Sequence, residues 1–269
     1  MLGLVIAFKD YKPFTGILQS EWVGLDNFVR FFKSVFSVRV ITNTLVINIM
    51  NLLFSFPAPI SLAIILSEVR KLQFKKTVQT ITYLPHFISL VVVVGMMNDI
   101  CAVDYGVINR LISAFGGEQI RFMTDPSWFK PLYVISGIWQ NVGWSSIIYI
   151  AAINGIDQQL YEAASIDGAN RFQKICKITI PGISNTILIL LILQIGNMLN
   201  VGFEKVLLMY NSSNMSTADV ISTYVYRVGL ISGDLSFGAS VGLFNSVINC
   251  GFLFIANGLS KKFIGKGLF

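Results

Sequence analysis

The chain has 269 residues, of which 54% are hydrophobic and only 13% charged, with a net charge of +6. A soluble domain carries about 25% charged residues, so lipid is the expected solvent for much of this surface, and a mean hydropathy of +0.68 agrees. The bases cluster beside apolar runs without interleaved aromatics, which argues for membrane orientation and against nucleic acid. Three scattered cysteines, Cys101, Cys176 and Cys250, give neither a disulfide framework nor a metal site. His86 is the sole histidine and has no nearby Cys or acid in sequence, so a zinc site or a nucleophile–base–acid triad is excluded as the leading reading.

In chain order, residues 1–8 are an apolar stub. Eight helical residues reach about 12 Å, too short to cross, and a basic leader and cleavage site are absent. The stub reads as the end of a first membrane helix whose beginning lies outside this sequence. In "WVGLDNFVRFFKSVF" the residues Leu25, Phe28, Phe31, Phe32 and Val35 recur at helical spacing. That helix either lies at the membrane interface or packs against the ends of the other helices. Crossing needs about 20 apolar residues, and five segments qualify: 42–66, 81–98, 131–154, 183–203 and 239–259. Pro57, Pro59 and Pro85 are expected to kink the first two. A further helical stretch is expected at 224–230, after the polar "YNSSNMSTADV". The fold class is therefore all-α and polytopic, with one membrane domain over 1–269.

Three segments share one side by parity. They carry Arg70, Lys71, Lys75 and Lys76; Arg171, Lys174 and Lys177; and Lys261, Lys262 and Lys266. The positive-inside rule places all three, and the C-terminus, in the cytoplasm.

Polar residues recur within the spans: Asn48 and Asn51; Trp139, Asn141, Trp144 and Tyr149; Gln194, Asn197 and Asn200, with Glu204 beyond; and Asn245 and Asn249. Amides pair with hydroxyls and aromatic rings stack on sugar faces, so the set suits a neutral, hydroxyl-rich solute. A cation path would place carboxylates at this depth. The alternative for each residue is an interhelical hydrogen bond, worth about 0.6–2 kcal/mol.

Residues 155–181 form the charged loop between the third and fourth spans. Ala163 and Ala164 favour helix, Asp167 precedes Arg171 in the favourable order for a helix pair, and Gly168 interrupts or ends the first helical piece. Phe172, Ile175 and Cys176 give a second apolar face, and Pro181 is expected to open the next span. Small residues at 163, 164, 168 and 169 let another backbone approach, while Glu162, Asp167, Arg171 and Lys174 can fix its orientation.

Glu162-Ala163-Ala164, Asp167-Gly168-Ala169 and Ile178-Thr179-Ile180-Pro181 together resemble the EAA loop of binding-protein-dependent ABC importer permeases. "GLVIAFKDYKPF", "FPAPISLAIILSEVR", "VQTITYLPHFIS" and "VGLFNSVIN" extend the similarity across essentially the whole chain, to the maltose-type sugar permeases and their complex-oligosaccharide and polysaccharide branch. Gln158 stands where that pattern often has proline, Ile180 where it often has leucine, and "GISNT" lacks a later proline. The resemblance implies a type I importer permease fold in the bacterial cytoplasmic membrane. It implies a coupling helix at Glu162, Ala163, Ala164, Asp167, Gly168, Ala169, Arg171, Phe172 and Pro181. It further implies a second related permease, two ATP-binding subunits and an external solute-binding protein as partners, with an oligosaccharide as cargo. The chain has no GxxxxGK[ST] phosphate loop; ATP and magnesium are expected on the partner, with no cofactor in this chain. A permease for a non-sugar solute is the first alternative, and a membrane-embedded enzyme the second.

Overall fold

A computed structural model describes residues 2–265 and 267–268; Met1 of the predicted stub and Lys266 of the basic tail lie outside them. The chain is helical almost throughout. Leu2–Phe8 forms a 3-10 helix. A two-stranded antiparallel ribbon follows, Lys9–Asp10 against Glu21–Trp22, which the all-helical expectation omits. Helix Asp26–Lys33 is stitched to this start by Asn27, whose amide donates to the carbonyls of Ala7 and Lys9 at 3.1 and 3.2 Å.

Among the described residues three helical runs are long and apolar enough to cross a membrane: Ser37–Ser67, Arg171–Gly196 and Leu235–Lys262. The bent pair Leu72–Phe87 and Leu90–Ile100 makes a fourth if taken as one span. Pro126–Asn154, the remaining expected span, is a 29-residue helix. That is long enough to cross, but its polar residues hold its hydropathy below that of the others.

Two boundaries need correction. The span expected over 81–98 with a kink at Pro85 is instead the bent pair running from Leu72 to Ile100, which meets at 101° around a 3-10 turn, Leu84–Phe87, that contains Pro85. The span expected over 183–203 begins earlier, at Arg171, and ends at Gly196, followed by a turn and then helix Phe203–Met209. Pro181 therefore does not open a helix but lies inside one.

The ladder accommodates the interior prolines by widening. A π segment, Asn51–Ser55, directly precedes the helix opened by Pro57, and the Phe56 N–H reaches back five residues to the Asn51 carbonyl at 2.9 Å. A second π segment, Ile175–Thr179, precedes Pro181 in the same way. Proline removes an N–H and its ring crowds the carbonyl four residues back. A wider turn just upstream offers those carbonyls other donors.

The chain forms two compact units. One comprises Met1–Ile49, Leu90–Tyr133 and Gly196–Phe252; the other comprises Met50–Ser89, Val134–Ile195 and Leu253–Phe269. The first is built on Phe31, Val40, Leu199, Ile221, Tyr224, Phe237 and Val241. The helix Asp26–Lys33 contributes Phe31 to that core, so the packing alternative holds for this face. The second unit packs Ala63, Tyr149, Ile153 and Ile183. Within it Gly143 lies against the backbone of Thr82, and a β-carbon there would overlap the Thr82 carbonyl. Along the last helix Val247, Phe254, Ile255 and Leu259 are all more than half exposed. Lipid tolerates such a surface; water would drive it to aggregate.

Candidate functional site

The loop 155–181 is built by two helix ends. Asp157 caps the helix Gln158–Ile166, its carboxylate accepting from the Gln159 N–H at 2.9 Å. The other end closes with Gly168 at φ +76°. There the Ala169 N–H reaches the Ala164 carbonyl at 2.9 Å and the Gly168 N–H reaches Ser165 at 3.2 Å. This paired pattern is a Schellman motif, which needs a left-handed residue that glycine alone adopts without strain. Asn170 and Gln173 then form a reciprocal capping box, at 2.9 and 2.8 Å, which starts the next helix at Arg171. Asp167 thus ends one helix and Arg171 begins another, so the favourable pair expected within a single helix is not formed.

Side chains lock the two helices together. The Lys174 ammonium donates to the Ser165 hydroxyl at 2.7 Å, and the Tyr161 and Thr179 hydroxyls meet at 3.0 Å. The outward face carries Glu162, Ala163, Asp167, Gly168 and Arg171, all exposed, with Ala164 and Ala169 half-buried. Ile166 and Phe172 project from it at 87% and 73% exposure.

The polar residues of the spans fall into two sets. In the unit containing Leu72–Phe87, His86 stacks on Trp144 with ring centroids 4.7 Å apart and planes 3° from parallel. His86 Nδ1 lies 3.0 Å from the Asn141 side-chain oxygen, and Phe87 meets Trp144 edge-on. Trp144 and Trp139 remain 45% and 44% exposed. Gln140, which the sequence reading passed over, donates to the Ile88 carbonyl at 3.0 Å and holds the broken turn. Asn51 accepts from Ser55 within its own π segment at 3.1 Å, and Gln194 is half-buried.

In the other unit, Asn245 donates to the Asn200 side chain at 2.8 Å, and Asn200 donates to Asn197 at 3.2 Å. Asn249, four residues after Asn245, accepts from the Leu199 N–H at 2.8 Å. The last helix thereby caps the turn that ends Arg171–Gly196. Asn197, Asn200 and Glu204 are exposed.

Three candidates do not line an accessible surface. Tyr149 is 3% exposed and belongs to the apolar core with Ala63, Ile153 and Ile183. Asn48 is 3% exposed and donates to Thr44 of its own helix at 3.1 Å. Asn249 is 8% exposed and is occupied in capping.

Lys205 is a group that polarity along the chain did not mark. It is 6% exposed, its ammonium donates to the Tyr133 carbonyl at 2.8 Å, and it lies 4.6 Å from the centre of that ring. Burial pushes it down to about 8. Among the described residues no cluster of three or more His, Cys, Asp or Glu side chains could hold a metal ion.

A family model described as "binding-protein-dependent transport system inner membrane component" matches residues 41–263, and the chain belongs to that family. It is a transport subunit, an integral membrane protein with the type I ABC permease fold, and not an enzyme. It is 49% identical to protein LplB of Bacillus subtilis (strain 168), over 100% of this chain and 85% of that protein. It is 48% identical to the polygalacturonan/rhamnogalacturonan transport system permease protein YteP of the same organism, over 100% of this chain and 84% of YteP. In three dimensions it resembles a chain of a bacterial alginate ABC transporter solved with an alginate pentasaccharide-bound periplasmic protein. That match has a TM-score of 0.92 and 42% identity, covering 100% of this chain and 89% of the other.

Proposed function

We propose that this chain is one half of the membrane pathway of an importer that carries oligosaccharides into the bacterial cytoplasm. The observation that carries the cargo class is the 48% identity, across the whole chain, to a permease for polygalacturonan and rhamnogalacturonan. In this reading a second related permease completes the pathway. An external binding protein delivers the sugar, and two ATP-binding subunits hold ATP and magnesium. The loop 155–181 and the C-terminus face the cytoplasm, as their basic residues suggest.

Coupling proceeds through the loop. ATP-driven closure of the partner subunits moves whatever is docked on Ile166, Phe172 and the small residues between them. The Lys174–Ser165 and Tyr161–Thr179 contacts make the two loop helices one rigid piece. Arg171 is continuous with the span that ends at Gly196, so force applied at the loop enters a membrane helix directly. Only a difference in contact between two states shifts their populations, and the loop supplies that difference. On the sugar side, the Trp144 ring and the Asn141 amide supply stacking and hydroxyl pairing. Asn197, Asn200 and Asn245 supply further amides in their own unit.

The test is purification from native membranes, followed by identification of the co-purifying binding protein and its ligand, and uptake in vesicles reconstituted with that protein. Uronic-acid or neutral oligosaccharides should be taken up with ATP. Preferential uptake of a peptide or an ion would overturn the sugar assignment.

A further inference from the structure

The helix Asp26–Lys33 has three distinct faces. Its buried face carries Asn27 and Phe31, at 4% and 0% exposure, against the core of its unit. Successive residues turn by about 100°, which puts Asp26, Arg30 and Lys33 together on a second, charged face. The third face is apolar and uncovered: Leu25, Val29 and Phe32 follow the i, i+4, i+7 pattern at 63%, 44% and 54% exposure. An interior helix needs one apolar stripe; this one has two, on different sides.

Connectivity says what covers the second stripe. Three residues separate Lys33 from Ser37, where a 31-residue membrane-crossing run begins. A linker that short holds the helix within about 14 Å of the span's end. Val35 in the linker and Val38 in the first turn of the span are also exposed, at 92% and 74%. The helix is also tied to the last membrane helix, since Arg30 pairs with Asp234 just before Leu235 and lies 5.0 Å from the Phe237 ring. Between the stripe and the charged face is a recess of about 360 Å³ lined by Asp26, Val29, Arg30, Lys33 and Ser34. With Arg30 paired to Asp234, the recess sets the Lys33 ammonium and the Ser34 hydroxyl beside Asp26, a polar rim next to the apolar stripe.

We propose that Leu25, Val29 and Phe32 form a phospholipid-contacting surface that seats this helix in the membrane–water boundary where the span Ser37–Ser67 begins. The charged face then looks toward water, the stripe into the acyl region, and Phe31 into the protein, an arrangement that holds the helix in one rotation about its axis.

The test uses the full chain with its co-purifying subunits in nanodiscs of phosphatidylglycerol and phosphatidylethanolamine. The exposed Cys176 and Cys250 are replaced by serine. A spin label is then placed through Val29→Cys, Phe32→Cys or, for contrast, Asp26→Cys; all three positions are exposed, so the fold is spared. Labels at 29 and 32 should relax with dissolved oxygen more than with a polar nickel chelate, and the label at 26 should show the reverse. A preference for the chelate at 29 and 32 would overturn the proposal, and so would shielding from both relaxants, which would mean that protein covers the stripe.

Discussion

The wholly buried carboxylate of Asp219 meets the Arg227 guanidinium through two hydrogen bonds, at 2.7 and 3.2 Å. Arg39, near the start of the span Ser37–Ser67, approaches the same carboxylate at 3.4 Å. Thr223 donates to it at 3.0 Å, and Asn43 donates to the Asp219 backbone carbonyl at 3.0 Å. One acid thus gathers the polar segment after Tyr210 onto a membrane helix. Removing the buried acid costs on the order of 3 kcal/mol at most, because Arg39 and Arg227 lose their shared partner but keep about a third of their side chains exposed to solvent. Asp219→Ala should therefore lower the thermal unfolding midpoint markedly in detergent, while Asp10→Ala, at an exposed pair, should leave it nearly unchanged. Equal midpoints for the two variants would contradict this assignment.

Gly168 has open space around the position of a β-carbon, so the constraint on it is its φ of +76°. Gly168→Ala should cost about 1 kcal/mol of local strain and reduce coupling only partly. Gly168→Pro cannot adopt the angle and removes the N–H that closes the helix end. It should insert into membranes normally yet lose sugar uptake while the partner's ATP hydrolysis continues or is lost. Glu162→Lys, on the exposed face, should weaken ATPase docking and leave sugar preference unaltered. Uptake and ATP turnover in the same vesicles check all three, and wild-type uptake by Gly168→Pro would rule out this account of the loop.

Gly143 lets two helices touch at backbone distance. A methyl group there collides with the Thr82 carbonyl, which a flexible side chain could avoid and a backbone atom cannot. Gly143→Ala should lower the yield of folded protein on size-exclusion chromatography, whereas Gly95→Ala, where nothing lies within 4 Å of the added carbon, should not.

Lys205 gives a pH dependence with a definite sign. Its ordinary value is 10.5 and burial lowers it to about 8. Below pH 8 both folded and unfolded chains carry the charge, and the folded chain bears the full cost of burying it. Between about 8 and 10.5 the unfolded chain keeps the proton while the folded chain releases it, so this residue's contribution to stability rises with pH in that window. Lys205→Met should remove that slope. The variant's advantage in unfolding measurements should be greatest near pH 7, on the order of 3 kcal/mol at most, and shrink as pH rises through the window. A difference that does not change with pH would show that packing, not charge, sets it.

Trp144→Ala should raise the sugar concentration needed for half-maximal uptake without changing basal ATP turnover, if its exposed ring is a stacking platform. Phe172→Ala should do the reverse. Initial-rate uptake over a range of sugar concentrations separates the two.

The features legible in the sequence are those fixed by neighbouring residues. Gly168 after a run of helix formers, with a second apolar face from Phe172 on, specifies a stop and a restart locally; the asparagine cap at Asn170 is added by the structure. The break at Leu84–Phe87 was harder to read, because apolar content reports where a chain can cross and is silent about direction. Proline marked the place without giving the angle. Tyr149 and Asn48 looked like path residues because polarity was judged along each span, whereas burial depends on which neighbour covers that side. His86 stands alone in the sequence, with no chemistry beside it, yet its ring stacks on Trp144. Only the fold back from residue 86 to residue 144 could reveal that contact.

The two widened turns ahead of Pro57 and Pro181 change how their spans must be drawn. Each π segment advances the backbone without the usual rotation, so residues on either side of it are out of phase by roughly one position, about 100°. A single helical wheel for 37–67 therefore assigns about half its residues to the wrong azimuth, and one for 171–196 misplaces the first turn, Arg171–Lys174. Asn43 and Asn48 belong to one projection and Ile60 and Ala63 to another, just as Phe172 and Ile183 do in the fourth span. Each of these membrane helices is two phased rods joined end to end, and mutational scans of them repeat with period only within a rod.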